Sequence, residues 1–104
     1  MPPVSEFEEF GVESVLNGDR ATVSVRGELD LATKPVLVEA LAAVVAGGAR
    51  HVVVDMSGVS FVDSTGLAAI LEARRVGASI TLRNPVGRVR KLLELVLRQA
   101  TLAL

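Results

Sequence analysis

The segment His51–Met56 constrains the fold most, because its run of valines lies between two stretches with helical periodicity. A β-branched run of this kind is typical of a strand that is covered on both faces or is central in a sheet. The stretch before it and the stretch after it each place apolar residues on one side of a 3.6-residue helix: Val36, Leu37, Ala40, Leu41, Val44 and Val45 in the first, Leu67, Ile70, Leu71 and Ala73/Arg74 in the second. Strands joined through such helices pair in parallel.

Before the first helix, the sequence predicts a hairpin. Val12, Ser14 and Leu16 begin an alternating run, and 17–19 (Asn-Gly-Asp) is typical of a tight turn. After the turn, Ala21, Val23 and Val25 alternate with polar residues, which predicts a strand with one buried face that closes at 27–30.

Helix boundaries and turns are marked by residues with special backbone preferences. Thr33 is a candidate cap for the first helix, and Pro35 suits its first turn. The Gly-Gly pair at 47–48 predicts the end of the first helix. The Ser-Gly pair at 57–58 predicts a turn, which is followed by a short apolar stretch at 59–62. Gly77 is expected to end the second helix. A strand at 79–82 and a turn at 84–85 then lead to a third helical stripe, formed by Val89, Leu92, Leu93, Val96 and Leu97.

The resulting order is β-β-α-β-α-β-α, an α/β domain with an open, mixed sheet of about four strands. In open sheets with parallel strands, ligands and partners meet the loops after the carboxyl ends of the strands. The sequence places two polar loops there, 27–30 and 57–66.

Composition limits the class of protein. At 104 residues the chain is expected to be one domain, 1–104, with 1–11 a flexible or edge segment. It has no cysteine, which excludes disulfides and thiolate metal sites. Its net charge of -1 and its three aromatic residues disfavour nucleic-acid binding. It has no apolar run of membrane length, and the acidic N-terminus lacks the basic region of a signal peptide, so we expect a cytoplasmic protein.

Enzyme motifs are missing. The one histidine, His51, lies at the start of a predicted strand, at the opposite end from Ser64, and neither a nucleophile elbow nor a phosphate loop is present. The 63–66 segment (Asp-Ser-Thr-Gly) differs from an aspartic-protease loop by its extra residue and its place at a helix start. Asp30, Asp55 and Asp63 leave a weak acid site open, although caps and turns explain them better. We expect no catalytic residue, metal or cofactor.

The 63–66 segment allows two interpretations. Asp63 or Ser64 caps the second helix and Gly66 permits close packing, in which case Ser64→Ala costs about 1 kcal/mol. Alternatively, the hydroxyl at the helix start accepts a phosphate, which meets free N–H groups and the positive end of the helix dipole. A phosphate adds about −1.5 to −2 charge, enough to change a binding surface without unfolding the domain.

Four stretches resemble the anti-sigma-factor antagonists, the bacterial STAS domains. The run 52–67, ending in Asp63-Ser64-Thr65-Gly66-Leu67, is similar to their signature, and 27–30, 84–85 and 89–95 are similar to their first loop, last turn and last helix. The resemblance covers roughly 12–97. It implies helices gathered mainly on one face of the sheet.

The resemblance also implies a function. Ser64 is then the phosphoacceptor of an anti-sigma serine kinase of the GHKL type, with Thr65 a minor acceptor. The unphosphorylated protein binds this anti-sigma factor and a sigma factor is released; a phosphatase reverses the modification. The protein is then a substrate and a binder rather than an enzyme, a monomer or weak dimer without nucleic acid or membrane insertion. Partner-binding residues are expected at Asp30, Ser60, Asp63, Ser64, Thr65, Gly66 and Leu67.

Two other functions remain open from the sequence. One is a STAS accessory subunit of a lipid-transport ATPase or larger signalling complex, in which Ser64 is only an interface residue. The other is a small nucleotide-binding or hydrolytic enzyme. The C-terminal end after Leu95, 96–104, departs from the family pattern, and its apolar tail is expected to dock on the sheet or to join an oligomer.

Overall fold

The computed structural model describes residues 9–73, 75 and 77–102, without the side chains of Ala73 and of 96–102. The predicted order of elements is confirmed. The strands are β1 (Gly11–Asn17), β2 (Arg20–Leu29), β3 (His51–Val62) and β4 (Ser79–Arg83), and the helices are α1 (Lys34–Ala46), α2 (Ser64–Ala73) and α3 (Gly87–Leu102). Most of the predicted N-terminal segment 1–11 lies outside the described residues, although Gly11 already pairs in β1.

The sheet has the strand order β1-β2-β3-β4. β1 pairs antiparallel with β2, through a two-residue loop in which Gly18 has φ +65°; a hairpin loop of this length needs such a residue. β2 and β3 pair in parallel, as do β3 and β4, and α1 and α2 form the two crossovers. β3 is therefore central, which is one of the two environments that its valine run predicts.

One face of the sheet is covered by the helices, as the resemblance implies. Along β2 the side chains of Ala21, Val23 and Val25 are buried while their neighbours are half-buried or exposed. They share the core with the buried stripes of the helices: Leu37, Leu41 and Val44 of α1, Leu67 and Ile70 of α2, and Val89 and Leu93 of α3. None of the described helices is long and apolar enough to cross a membrane.

Two details of the predicted helices differ in the structure, and a third prediction lies outside the described side chains. Val36 is 46% exposed, so the stripe of α1 is narrower than its sequence predicts. α2 ends at Ala73, before Gly77, which has φ +89° in the following turn. The predicted core positions Val96 and Leu97 and the docking of the tail lie outside the described side chains.

The predicted turn at 57–58 is wrong, because β3 continues through it to Val62. The pairing with β2 shifts instead: Ser24 lies opposite Asp55, but Arg26 lies opposite Gly58. This bulge places Gly58 against β2, where an added Cβ would lie 2.9 Å from the Cβ of Arg26 and 3.1 Å from the carbonyl oxygen of Val25. The longer β3 delivers residue 63 directly to the carboxyl edge of the sheet.

Candidate functional site: two joined loops around Ser64

The predicted loops 27–30 and 57–66 are shorter in the structure, because 27–29 belong to β2 and 57–62 belong to β3. The residues that follow these two strands lie together at the carboxyl edge of the sheet. Leu29 ends β2 opposite Val62, which ends β3. The N–H of Asp63 donates to the carbonyl oxygen of Leu29 at 3.3 Å, so the segment after β3 is joined to the segment after β2. The polar residues that follow each strand therefore form one surface.

Asp63 caps α2. Its Oδ1 accepts from the N–H of Gly66 at 2.9 Å, and its carbonyl oxygen accepts from the N–H of Leu67 at 3.0 Å. This is the N-cap arrangement, in which a carboxylate binds the N–H three residues on and lies at the positive end of the helix dipole. Of the two capping residues that the sequence allowed, the structure selects Asp63.

Ser64 is the first residue of α2, and it is exposed. Within the described part of the chain its hydroxyl makes no hydrogen bond, so the cost of about 1 kcal/mol expected for Ser64→Ala is wrong; the cap belongs to its neighbour. The first N–H groups of a helix have no intrahelical acceptor, and Asp63 takes only that of Gly66. A free hydroxyl thus lies beside free backbone donors.

Gly66 is required by the close approach of α2 to β2. An added Cβ there would lie 2.6 Å from the carbonyl oxygen of Leu29 and 2.8 Å from its Cγ. Both are shorter than real Cβ contacts. The absence of a side chain at this position is what allows the two loops to pack against each other.

The loop after β2 is held by Asp30 and Thr33. Oδ1 of Asp30 accepts from the N–H groups of Ala32 at 3.0 Å and of Thr33 at 3.1 Å. The N–H of Asp30 donates to Oγ1 of Thr33 at 2.9 Å, and that hydroxyl donates its one proton to the carbonyl oxygen of Glu28 at 2.8 Å. We call this set of bonds the Asp30–Thr33 bracket.

The bracket corrects one prediction. Thr33 occupies the N-cap position of α1, as the sequence predicts, but its side chain makes no capping hydrogen bond. Its hydroxyl bonds within the preceding loop instead, to the Glu28 carbonyl oxygen and the Asp30 N–H.

The other predicted site residues differ in exposure. Ser60 is exposed and Thr65 is half-buried. Leu67 is only 5% exposed. It packs in the hydrophobic core and attaches α2 to it, so its side chain does not reach the surface.

Two exposed apolar side chains at this edge, Leu31 and Phe61, are absent from the predicted set. Leu31 follows Asp30 in the loop and is 72% exposed, and Phe61 is 46% exposed. Phe61 and Arg88 line a groove of about 360 Å³ between the end of β3 and α3. For Leu31 a signal existed: it is an apolar residue in a loop, outside both neighbouring periodic patterns.

The three aspartates of the weak acid site do not come together. Asp55 lies in the middle of β3, eight residues before Asp63, which is roughly 25 Å along a strand. The N–H of Ser57 donates to its Oδ1 at 3.0 Å, and Arg83 lies 3.6 Å away. Both interactions favour the carboxylate and lower the pKa of Asp55, the Ser57 hydrogen bond most. Across residues 9–73, 75 and 77–102, no cluster of three acidic or histidine side chains suits a metal ion.

His51 lies at the opposite end of β3 from Ser64, as the sequence predicts. Its Nδ1 is hydrogen-bonded to the hydroxyl of Ser79 at 2.9 Å. A serine-histidine catalytic pair at Ser64 is therefore ruled out by distance along the strand.

The sequence matches the family model described as "Mlab, STAS domain" over residues 12–97. Among curated proteins, it is 41% identical over 58 residues to an anti-sigma-B factor antagonist of Staphylococcus epidermidis, covering 56% of this chain and 54% of that protein. It is 38% identical over 61 residues to the anti-sigma-F factor antagonist RsfB of Mycobacterium tuberculosis, covering 58% of this chain and 50% of that protein. The chain thus matches about half the length of these curated relatives.

The fold agrees with this match. A crystal structure of an anti-sigma factor antagonist from Mycobacterium paratuberculosis superimposes with a TM-score of 0.76 at 26% identity, covering 90% of this chain and 83% of that one. The family model spans every strand and both crossover helices. The chain belongs to the STAS domain family.

Proposed function

We propose that this chain is an anti-sigma factor antagonist controlled by phosphorylation of Ser64. Its unphosphorylated form binds an anti-sigma factor that is also a GHKL-type serine kinase, and a sigma factor is thereby released. The kinase transfers the γ-phosphoryl group of ATP to Oγ of Ser64, the hydroxyl proton leaves to a base of the kinase, and ADP is released. A phosphatase restores the free hydroxyl.

The observation that carries this proposal is the state of Ser64. Its hydroxyl is exposed, makes no hydrogen bond within the described residues, and sits at the first position of a helix whose cap is supplied by another side chain. A kinase can therefore phosphorylate this hydroxyl without breaking a hydrogen bond that stabilises the fold. Asp63, which does hold the fold, lies immediately before it.

The same geometry tolerates the product. A phosphate on Ser64 lies beside the free N–H groups of the first turn and at the positive end of the helix dipole. The fold is retained, while the surface gains about −1.5 to −2 charge beside the carboxylate of Asp63.

The added charge is large enough to switch binding. If the partner places one acidic group about 6 Å from the phosphate, two unit charges repel by roughly 2.8 kcal/mol at an effective dielectric constant of about 20. This corresponds to about a hundredfold loss of affinity. The relatives named as anti-sigma factor antagonists support the assignment over the half of their length that this chain matches.

A pull-down from a lysate of the source organism tests the proposal, with partners identified by mass spectrometry. The baits are the parent chain, Ser64→Glu, and Thr65→Ala as a neighbouring hydroxyl control. We expect a GHKL-type ATPase with the parent and with Thr65→Ala, and its loss with Ser64→Glu.

The recovered ATPase is then purified and given ATP and either the parent chain or Ser64→Ala. Transfer of phosphate to the parent alone supports the proposal. Recovery of a transporter ATPase by the parent and by Ser64→Glu equally would reject it and favour the accessory-subunit function.

A further inference from the structure

Leu31 is the most exposed of the large apolar side chains in the described part of the chain, at 72%. A single exposed leucine is ordinary on a protein surface, so exposure alone indicates nothing. What distinguishes Leu31 is that its loop is fixed and that the loop lies against the phosphoacceptor segment.

The Asp30–Thr33 bracket fixes the loop from both sides of Leu31. Four hydrogen bonds of 2.8–3.1 Å join Asp30, Ala32, Thr33 and the carbonyl oxygen of Glu28. The N–H of Lys34 also donates to the carbonyl oxygen of Asp30 at 2.8 Å. The backbone at Leu31 is therefore ordered before any partner arrives, and an ordered loop loses less conformational entropy on binding than a mobile one.

The same loop is joined to the segment that carries Ser64. The N–H of Asp63 donates to Leu29, two residues before Leu31, and Gly66 packs against Leu29. Two residues of chain span at most about 7 Å, so Leu31 and Ser64 fall within one interface patch of ordinary size. An ion pair of 3.5 Å between Lys34 and Glu72 further ties α1 to α2.

We infer that Leu31 is an apolar anchor for the anti-sigma kinase. Its side chain inserts into an apolar pocket of the kinase, next to the active site that binds Ser64. This inference rests on the proposed function and adds a specificity-determining residue to it. The partner is the kinase, because its active site must reach Ser64 and an interface of ordinary size around that hydroxyl also includes Leu31.

The inference also adds a physical component to the switch. Phosphorylation puts a hydrated group of about −1.5 to −2 charge next to the apolar contact. Closing the interface then requires removing water from that phosphate, which opposes burial of Leu31 even where the partner has no acidic group.

The test measures the affinity of the purified, fluorescently labelled GHKL-type ATPase, in the presence of ADP, for variants of the full chain. Leu31→Ala is expected to weaken binding about tenfold or more, because truncation to alanine removes most of the apolar surface that the leucine buries in the partner. Leu31→Met keeps most of the apolar contact and should restore near-parent affinity. Thr33→Val removes the hydroxyl that bonds to Glu28 and to the Asp30 N–H, and it should weaken binding because the loop that carries Leu31 is then less ordered.

Leu95→Ala is the matched control. Leu95 is also an exposed leucine, at 59%, but it lies eight residues into α3, roughly 12 Å along that helix from its first residue. Parent-like binding by Leu95→Ala together with weak binding by Leu31→Ala supports the inference. Thermal melts of both variants should match the parent, because neither side chain is part of the core.

The remaining outcomes separate the inference from the proposed function. Parent-like binding by Leu31→Ala, with binding lost in Ser64→Glu, overturns the inference and leaves the proposed function standing. An equal loss in Leu31→Ala and Leu95→Ala also overturns it, since the effect is then unrelated to the site. Unchanged binding by Ser64→Glu overturns the proposed function itself.

Discussion

Gly66→Ala tests whether the two loops pack as closely as the structure shows. The added Cβ would lie 2.6 Å from the carbonyl oxygen of Leu29, whereas ordinary van der Waals contact begins at 3.4 Å, so the contact must lengthen by roughly 0.8 Å. Because the near atom is backbone, α2 or the end of β2 has to move. The same carbonyl accepts from the N–H of Asp63, and that bond is weakened by the movement.

The free energy of unfolding should fall by about 2 kcal/mol. Overpacking destabilises by about 1–3 kcal/mol, and weakening the hydrogen bond destabilises by about 0.5–1.5 kcal/mol. Replacing a helical glycine by alanine stabilises the helix by about 1 kcal/mol, which offsets part of this loss. For a domain of this size, the loss corresponds to a fall in Tm of roughly 10 °C. Circular dichroism melts and urea titrations measure both quantities.

Ser64→Ala is the control, because it changes an exposed residue two positions earlier in α2. Its hydroxyl bonds to none of the described residues, so stability should stay within about 0.5 kcal/mol of the parent. A Tm of Gly66→Ala equal to or above that of the parent would refute the close approach of the loops.

Three further predictions concern single groups. Asp63→Ala removes the cap of α2 and should lower the free energy of unfolding by about 1 kcal/mol in a urea titration, whereas Asp63→Asn should recover most of it; equal stability of all three proteins would contradict the cap. The Ser57 N–H and Arg83 lower the pKa of Asp55 in the folded state. The stability that ionised Asp55 contributes is therefore fully present above the unfolded pKa of about 3.9, and it is lost as the pH falls through the lower folded pKa. Asp55→Asn should therefore flatten the acid side of the stability–pH curve, and an unchanged acid side would show that the contacts are too weak to matter. Ser64→Glu should melt like the parent, since the helix N-terminus accepts negative charge; a large fall in Tm would mean that loss of binding reports unfolding.

The element order could be predicted because each segment has one clear periodicity. The valines of His51–Met56, the alternation of Ala21–Val25 and the helical stripes all bury one face, and burial dominates the choice of element. The length of β3 could not be predicted. Ser57-Gly58 is a good turn sequence, and only the pairing with β2 converts it into a bulge within a strand.

The site could be predicted in position but not in detail. The carboxyl ends of parallel strands meet at one edge, which was enough to bring Asp30 and Asp63 together. The direction of the Thr33 hydroxyl was not predictable, since its acceptor is a carbonyl five residues earlier, at Glu28. The sequence marks Leu31 only as an apolar residue in a loop, and its exposure depends on that same loop conformation, which the structure shows.

We propose that one phosphate on Ser64 weakens partner binding about a hundredfold or more while the domain stays folded. The most direct measurement is the affinity of the recovered GHKL-type ATPase for the parent chain before and after phosphorylation, with phosphopeptide mapping to locate the phosphate. We expect phosphate on Ser64, an unchanged circular dichroism spectrum and about a hundredfold or greater loss of affinity. Equal affinity of the two forms, with the phosphate confirmed on Ser64, would contradict it.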